Sequence, residues 1–222
     1  MGILTRVATL VLGLAAAGLM PAHAQNWPTG PVKIIVPFPA GGSADTLART
    51  LGQAMQEATG QSFVVENRTG AGGNIGTAEV ARAQADGSTI LLTPSSVAIA
   101  PVLYAKPGYD PVKDFAPVTL VGNIPMVVVV HPSLPVKTMG ELVALAKSKP
   151  GEISYASAGF GTTNHLAFEL FMAQTGTNFV HVPYRGNPLA MVDVIAGQVP
   201  VFFDFVLTGR PHVQANAVRA LA

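Results

Sequence analysis

The stretch Lys33-Ile34-Ile35-Val36-Pro37-Phe38-Pro39-Ala40-Gly41-Gly42-Ser43-Ala44-Asp45 changes character halfway along. Its first half is a short apolar run, the mark of a buried strand. Gly41 and Gly42 then allow a tight turn and a close approach of backbone to a ligand. From Ser43 to Thr59, Leu47, Leu51, Ala54 and Met55 fall on one helical face, and Gly60 stops the helix. Strand, glycine turn and helix together form the building unit of an α/β fold.

The unit recurs along the rest of the chain. Phe63–Asn67 reads as a strand, Gly70–Asn74 as a glycine-rich loop, Ile75–Gln84 as a short helix and Thr89–Thr93 as a strand. Residues 94–116 read as irregular, with turn formers at Pro101, Pro107, Gly108 and Pro111. Two extended runs follow, Val118–Val121 and Met126–Val130, divided by Gly122-Asn123-Ile124-Pro125. Thr138 and Glu141 form a capping box that opens a helix to Lys149. Beyond it come a strand at Ile153–Ser157, a helix at Thr162–Thr175, a strand at Phe179–Tyr184, a helix at Leu189–Ala196 and a strand at Val199–Phe205. The order predicts parallel or mixed sheets covered by helices, with right-handed crossovers. We expect two similar lobes, residues 25–123 and 124–222, with a hinge near residues 122–131.

Composition bounds the function. The 222 residues carry 13 basic and 12 acidic side chains, no cysteine, 49% hydrophobic and only 11% charged residues. That apolar content excludes intrinsic disorder. The missing cysteines exclude disulfides, thiolate metal sites and a cysteine nucleophile. A net charge of +1 without a basic run argues against nucleic-acid binding. Residues 1–24 read as a secretory signal peptide: Arg6, the apolar run Val7–Leu19, then Ala22-His23-Ala24 before Gln25. The run falls short of the roughly 20 apolar residues of a membrane span. The expected product is exported, soluble and cleaved after about Ala24.

Two turns are candidate sites. The first is Pro39-Ala40-Gly41-Gly42-Ser43-Ala44-Asp45, where amides at the helix start attract anions and Ser43 can cap. An ordinary capped turn is the plainer alternative. The second is Ser157-Ala158-Gly159-Phe160-Gly161-Thr162-Thr163-Asn164-His165. Gly159 and Gly161 begin a dinucleotide fingerprint, but Asn164 replaces its third glycine and no acid stands about 20 positions on. Ser157, Thr162 and Thr163 offer hydroxyls suited to a carboxylate, and His165 reads equally as structural or as a contact. Two such turns facing one another make a pincer for an anion. Tyr184 and Arg185 read as cleft or rim residues, and Asp204 as a loop cap or a ligand acceptor. No G-x-S-x-G, H-E-x-x-H, Walker A or EF-hand pattern is present, so no catalysis, metal or cofactor is expected. The alternative from another class is a secreted α/β hydrolase or transferase using Ser157 and His165.

Several of these runs carry a resemblance. Ile35–Asp45 with Arg49, Val65–Gly76, Tyr155–Leu166, Val182-Pro183-Tyr184-Arg185-Gly186, Gly197–Asp204 and Pro211-His212-Val213 resemble the tripartite tricarboxylate transporter receptors, or Bug receptors. The resemblance covers the chain from about Trp27 onward. It implies a monomeric, bilobed periplasmic binding protein of type II. Such a receptor closes on a di- or tricarboxylate, an acidic amino acid or an aromatic acid and presents it to integral membrane subunits. It implies that Pro39–Asp45 and Ser157–Thr163 clasp a carboxylate and that Asp204 helps read the distal part of the ligand. Leu207-Thr208-Gly209-Arg210 departs from the apolar helix start expected there. The resemblance also implies a chain truncated after Val218–Leu221, which reads as the start of the return to the first lobe. The first lobe is then expected to expose apolar surface.

Overall fold

The computed structural model describes residues 27–221, so the expected signal peptide lies outside the described residues. Two sheets organise the chain. The first is parallel, with strands β1 (Val32–Val36), β2 (Phe63–Asn67) and β3 (Thr89–Leu91) in the order β2-β1-β3. Helices α1 (Ser43–Thr59), α2 (Asn74–Ala81) and α3 (Ser96–Leu103) belong to this half. Val32, Ile34, Ile35 and Val36 are all buried, as a central parallel strand covered on both faces requires. Ala44 and Ala48 of α1 pack on Val32, Ile34 and Val36, along with Phe63.

The second sheet is mixed, in the order β6-β5-β7-β4-β8. Its strands are β4 (Met126–Val130), β5 (Ser154–Ser157), β6 (Val180–Pro183), β7 (Val201–Phe205) and β8 (Arg219–Ala220). β5 pairs in parallel with β6 and β7, whereas β4 runs antiparallel to β7 and β8. Side chains alternate across this sheet. Val128, Val130 and Phe203 join one core with Leu142 of α4 (Met139–Ser148) and Phe168 of α5 (Thr163–Thr175). Val129 and Phe202 join the opposite core with Ala190, Met191 and Val194 of α6 (Asn187–Ile195). Helix α7 (Val206–Gln214) follows β7 without a loop.

Three expectations are corrected. Val118–Val121 forms no strand, and Val118 and Leu120 are 88% and 74% exposed. Residues 94–116 are not wholly irregular, because α3 lies there. Half of the expected hinge is strand β4, with Val129 and Val130 fully buried. The strand expected at residues 218–221 is present as Arg219–Ala220, which pairs with Val130 and Val129 at the edge of the second sheet. The capping box is half present. Thr138 Oγ1 accepts from Glu141 N at 3.2 Å, but Glu141 turns to the amide of Lys137 instead of Thr138.

Candidate functional site

Strand order locates the site. β1 has β2 on one side and β3 on the other, and β5 likewise lies between β6 and β7. Each is a point where the chain reverses direction across its sheet, and a crevice opens there beyond the carboxyl ends of the strands. The loops leaving β1 and β5 both border a cavity of about 310 Å³.

Four helices begin at its wall. Gly42, Ser43 and Ala44 start α1, Ser95 and Ser96 start α3, Thr162, Thr163 and Asn164 start α5, and Asn187 and Pro188 start α6. None has a side-chain cap on its first turn. The leading amides of α1 and α5 therefore stay free of intrahelical partners. In contrast, Val97 N and Ala98 N of α3 reach back to Pro94 O and Ser95 O, and Pro188 of α6 has no amide hydrogen. All four starts carry the positive end of a helix dipole. The remaining wall is largely apolar: Phe38, Leu47, Leu120, Val121, Ile124 and Phe205. Among the described residues lining the cavity, none is charged.

The predicted residues divide into those at the wall and those behind it. Pro39, Gly42, Ser43, Ala158, Thr162 and Thr163 line the cavity. Ala40 and Gly41 do not, and Gly41, at φ +79°, forms the turn. Asp45 faces its own loop. Its carboxylate accepts from Gly41 N at 2.9 Å, Asn67 Nδ2 at 3.0 Å and Arg49 Nε at 3.0 Å. Burial pushes the Asp45 pKa up, but these hydrogen bonds and the Arg49 charge outweigh it and hold the group below the usual carboxylate range.

The second loop is braced the same way. Ser157 is fully buried, and its hydroxyl meets His181 Nε2 at 2.6 Å and Gly159 N at 3.1 Å. His165 Nδ1 accepts from Gly161 N at 3.2 Å, which leaves the proton on Nε2, 3.6 Å from Glu169. The Ser157–His165 pair of the hydrolase alternative does not form. Burial pushes His165 down, and burial with the neighbouring His165 takes His181 down to about 4. Ala158 N and Thr162 Oγ1 donate to Asn164 Oδ1 at 3.3 and 2.7 Å. The amides of Ala158, Gly159 and Gly161 are thus committed to the loop itself. Tyr184 also lies off the cavity, its hydroxyl donating to Asp193 at 2.7 Å; burial and that carboxylate push it up to about 12. Asp204 is fully buried behind the wall, and burial raises its pKa despite donors from Phe205 N, Thr208 and Asn187.

Sequence reading missed the starts of α3 and α6. For α3 the signal is Ser95-Ser96 ahead of Val97-Ala98-Ile99-Ala100, obscured by Pro101 within the helix. For α6 it is Gly186-Asn187-Pro188, since proline suits the first helical turn.

The two halves touch around the cavity. Tyr104 Oη donates to Phe160 O at 2.8 Å. Ser43 Oγ lies 3.5 Å from Thr208 Oγ1, and Ser95 Oγ lies 3.5 Å from Thr163 Oγ1. Gly186, at φ +148°, packs on the ring of Pro39 so closely that a Cβ would sit 2.5 Å from its Cδ.

Comparison with known proteins agrees with this architecture. The profile of the "Tripartite tricarboxylate transporter family receptor" family matches residues 47–222. Protein BugT of Bordetella pertussis is 39% identical over 219 residues, spanning 97% of this chain and 67% of BugT. The R. palustris protein Rpa4515, solved with adipate, superposes with a TM-score of 0.86 at 38% identity, over 89% of this chain and 66% of that one. MatC of Rhodopseudomonas palustris, solved with bound malate, gives 0.81 at 31% identity, over 88% and 67%. The chain spans about two thirds of the length of these relatives.

Proposed function

The chain belongs to the tripartite tricarboxylate transporter receptor family, and on that premise we propose that it captures a small carboxylate in the cavity between its two halves. One observation carries the reading: four uncapped helix N-termini converge on a cavity whose described lining has no charge. Each N-terminus contributes about half a positive charge, and those of α1 and α5 add oriented N–H donors. An anion is therefore held by dipoles already in place. Phe38, Leu47, Leu120, Val121, Ile124 and Phe205 then suit the apolar body of the acid. Adipate and malate, bound by the relatives, are the first ligands to try. Aromatic acids such as benzoate also suit the apolar wall.

The binding residues proposed are Pro39, Gly42, Ser43, Ala158, Thr162, Thr163 and Asn164, joined by Ser95, Ser96 and Asn187. Asp45, Ser157 and His165 hold the loops in shape. The receptor acts in the periplasm and hands its ligand to integral membrane subunits. It carries out no chemistry itself. Closure follows movement of one half against the other, with the ligand favouring the contacts that span the cavity.

A thermal-shift titration with adipate, malate, benzoate and glutamate tests the reading. At a hundred times Kd, binding adds about 2.7 kcal/mol, a rise in Tm of roughly 5–10 °C for a chain of this size. The expected result is a saturable rise with at least one acid, which is recovered unchanged. No shift with any of the four, or turnover abolished by Ser157→Ala, would overturn it.

A further inference from the structure

A receptor for anions that buries a carboxylate behind its binding wall needs a reason for doing so. Asp204 ends β7 with no exposed surface. Its Oδ1 accepts from Asn187 Nδ2 at 2.5 Å. Thr208 Oγ1 donates to the same carboxylate, 3.0 and 2.9 Å from its two oxygens. Asn187 Oδ1 in turn accepts from Asn164 Nδ2 at 3.1 Å. Asn164 Oδ1 then accepts from Ala158 N and Thr162 Oγ1.

This chain has a direction, and the acid sets it. Asn187 Nδ2 and Thr208 Oγ1 both donate to this carboxylate, the pattern that suits its ionised form despite burial. Such a carboxylate only accepts, so Asn187 turns its nitrogen to Asp204 and its oxygen away. That oxygen demands the nitrogen of Asn164, and the order passes on to the loop after β5. Both asparagines line the cavity. Each amide nitrogen carries two protons and gives one to the chain, so one remains. We infer that Asp204 is a positioning residue that fixes the Asn187 and Asn164 amides with N–H groups available to an anion in the cavity. The inference rests on the carboxylate-receptor reading. Were the two amides inverted, their oxygens would take these places and repel a carboxylate.

Asp204→Asn removes the charge and keeps the shape. The new amide can donate to Asn187 Oδ1, so the order is free to reverse. The readout is the affinity ratio between an acid and its own amide: adipate against adipamide, malate against malamide, and benzoate against benzamide. Asp204→Ser serves the same purpose if the first variant does not fold. The acid-to-amide ratio is expected to fall about tenfold, the loss of one charge-assisted hydrogen bond. A purely structural role would lower both affinities together and leave the ratio alone. If the wild type binds an acid and a folded variant keeps the ratio within about threefold, the inference is overturned while the receptor reading stands. If the wild type binds none of the acids, both fall.

Discussion

Gly186→Ala is the sharpest test of how the two halves meet. A Cβ at residue 186 would lie 2.5 Å from both Cδ and Cγ of Pro39. Carbon atoms pack at about 3.5–4.0 Å, so the seam must widen by roughly 1 Å. The proline ring has no rotamer that turns it away. Ser43–Thr208 and Ser95–Thr163 already stand at 3.5 Å and would pass out of hydrogen-bond range. Two lost bonds of about 0.5–1.5 kcal/mol each raise Kd by roughly tenfold to a hundredfold. A separate cost arises because alanine is strained at φ +148°, about 1–3 kcal/mol whether or not ligand is bound. Gly197→Ala separates the two effects. Its φ is +73° and its nearest neighbour is the His131 ring, away from the cavity. Calorimetric titration with adipate, or with whichever acid binds, is run beside thermal unfolding. Gly197→Ala should lose Tm and keep its Kd, whereas Gly186→Ala should lose both. A Gly186→Ala protein whose Kd stays within about threefold of wild type would refute the seam argument.

Asp45→Ala leaves Gly41 N, Asn67 and Arg49 without their acceptor. It should cost about 1–3 kcal/mol in urea unfolding and weaken ligand binding through the loosened loop; an unchanged unfolding midpoint would contradict the bracing role. Acid should destabilise the protein through His181. Burial first, and His165 second, depress its folded pKa to about 4, so between about pH 6.5 and 4 the unfolded chain binds the proton more readily. Stability is full above that window and falls as pH drops through it. His181→Gln should flatten the Tm-against-pH slope there, and an identical slope in both proteins would sink the assignment.

The alternation of short apolar runs with helical periodicity was enough to place β1, α1, β5 and α5, because local pattern and burial agree there. It was enough, too, to find both loops at the cavity. What it missed depended on distance along the chain. Leu120 and Val121 look like a strand, yet a strand needs a partner and none of the described strands pairs with them. The α7 helix contains Pro211 and begins at once after β7, so neither a cap nor a turn announces it. Asp45 and Ser157 have the chemistry of ligand contacts. Only the fold shows that Arg49, Asn67 and His181 have already claimed them. The direction of the Asn164–Asn187–Asp204 chain joins three segments and has no local signature at all.

The lining of the cavity has a consequence for how such a receptor changes its diet. Main-chain amides at helix starts keep their positions whatever side chain stands above them. Phe38, Leu47, Leu120, Val121, Ile124 and Phe205 can therefore be exchanged for larger or smaller apolar residues without disturbing the proposed grip on a carboxylate. On the proposed reading, helix-start amides with Asn164 and Asn187 hold the acid, and the apolar wall selects its body. A new ligand is reached by substitutions at the wall, with the anion-holding frame inherited intact.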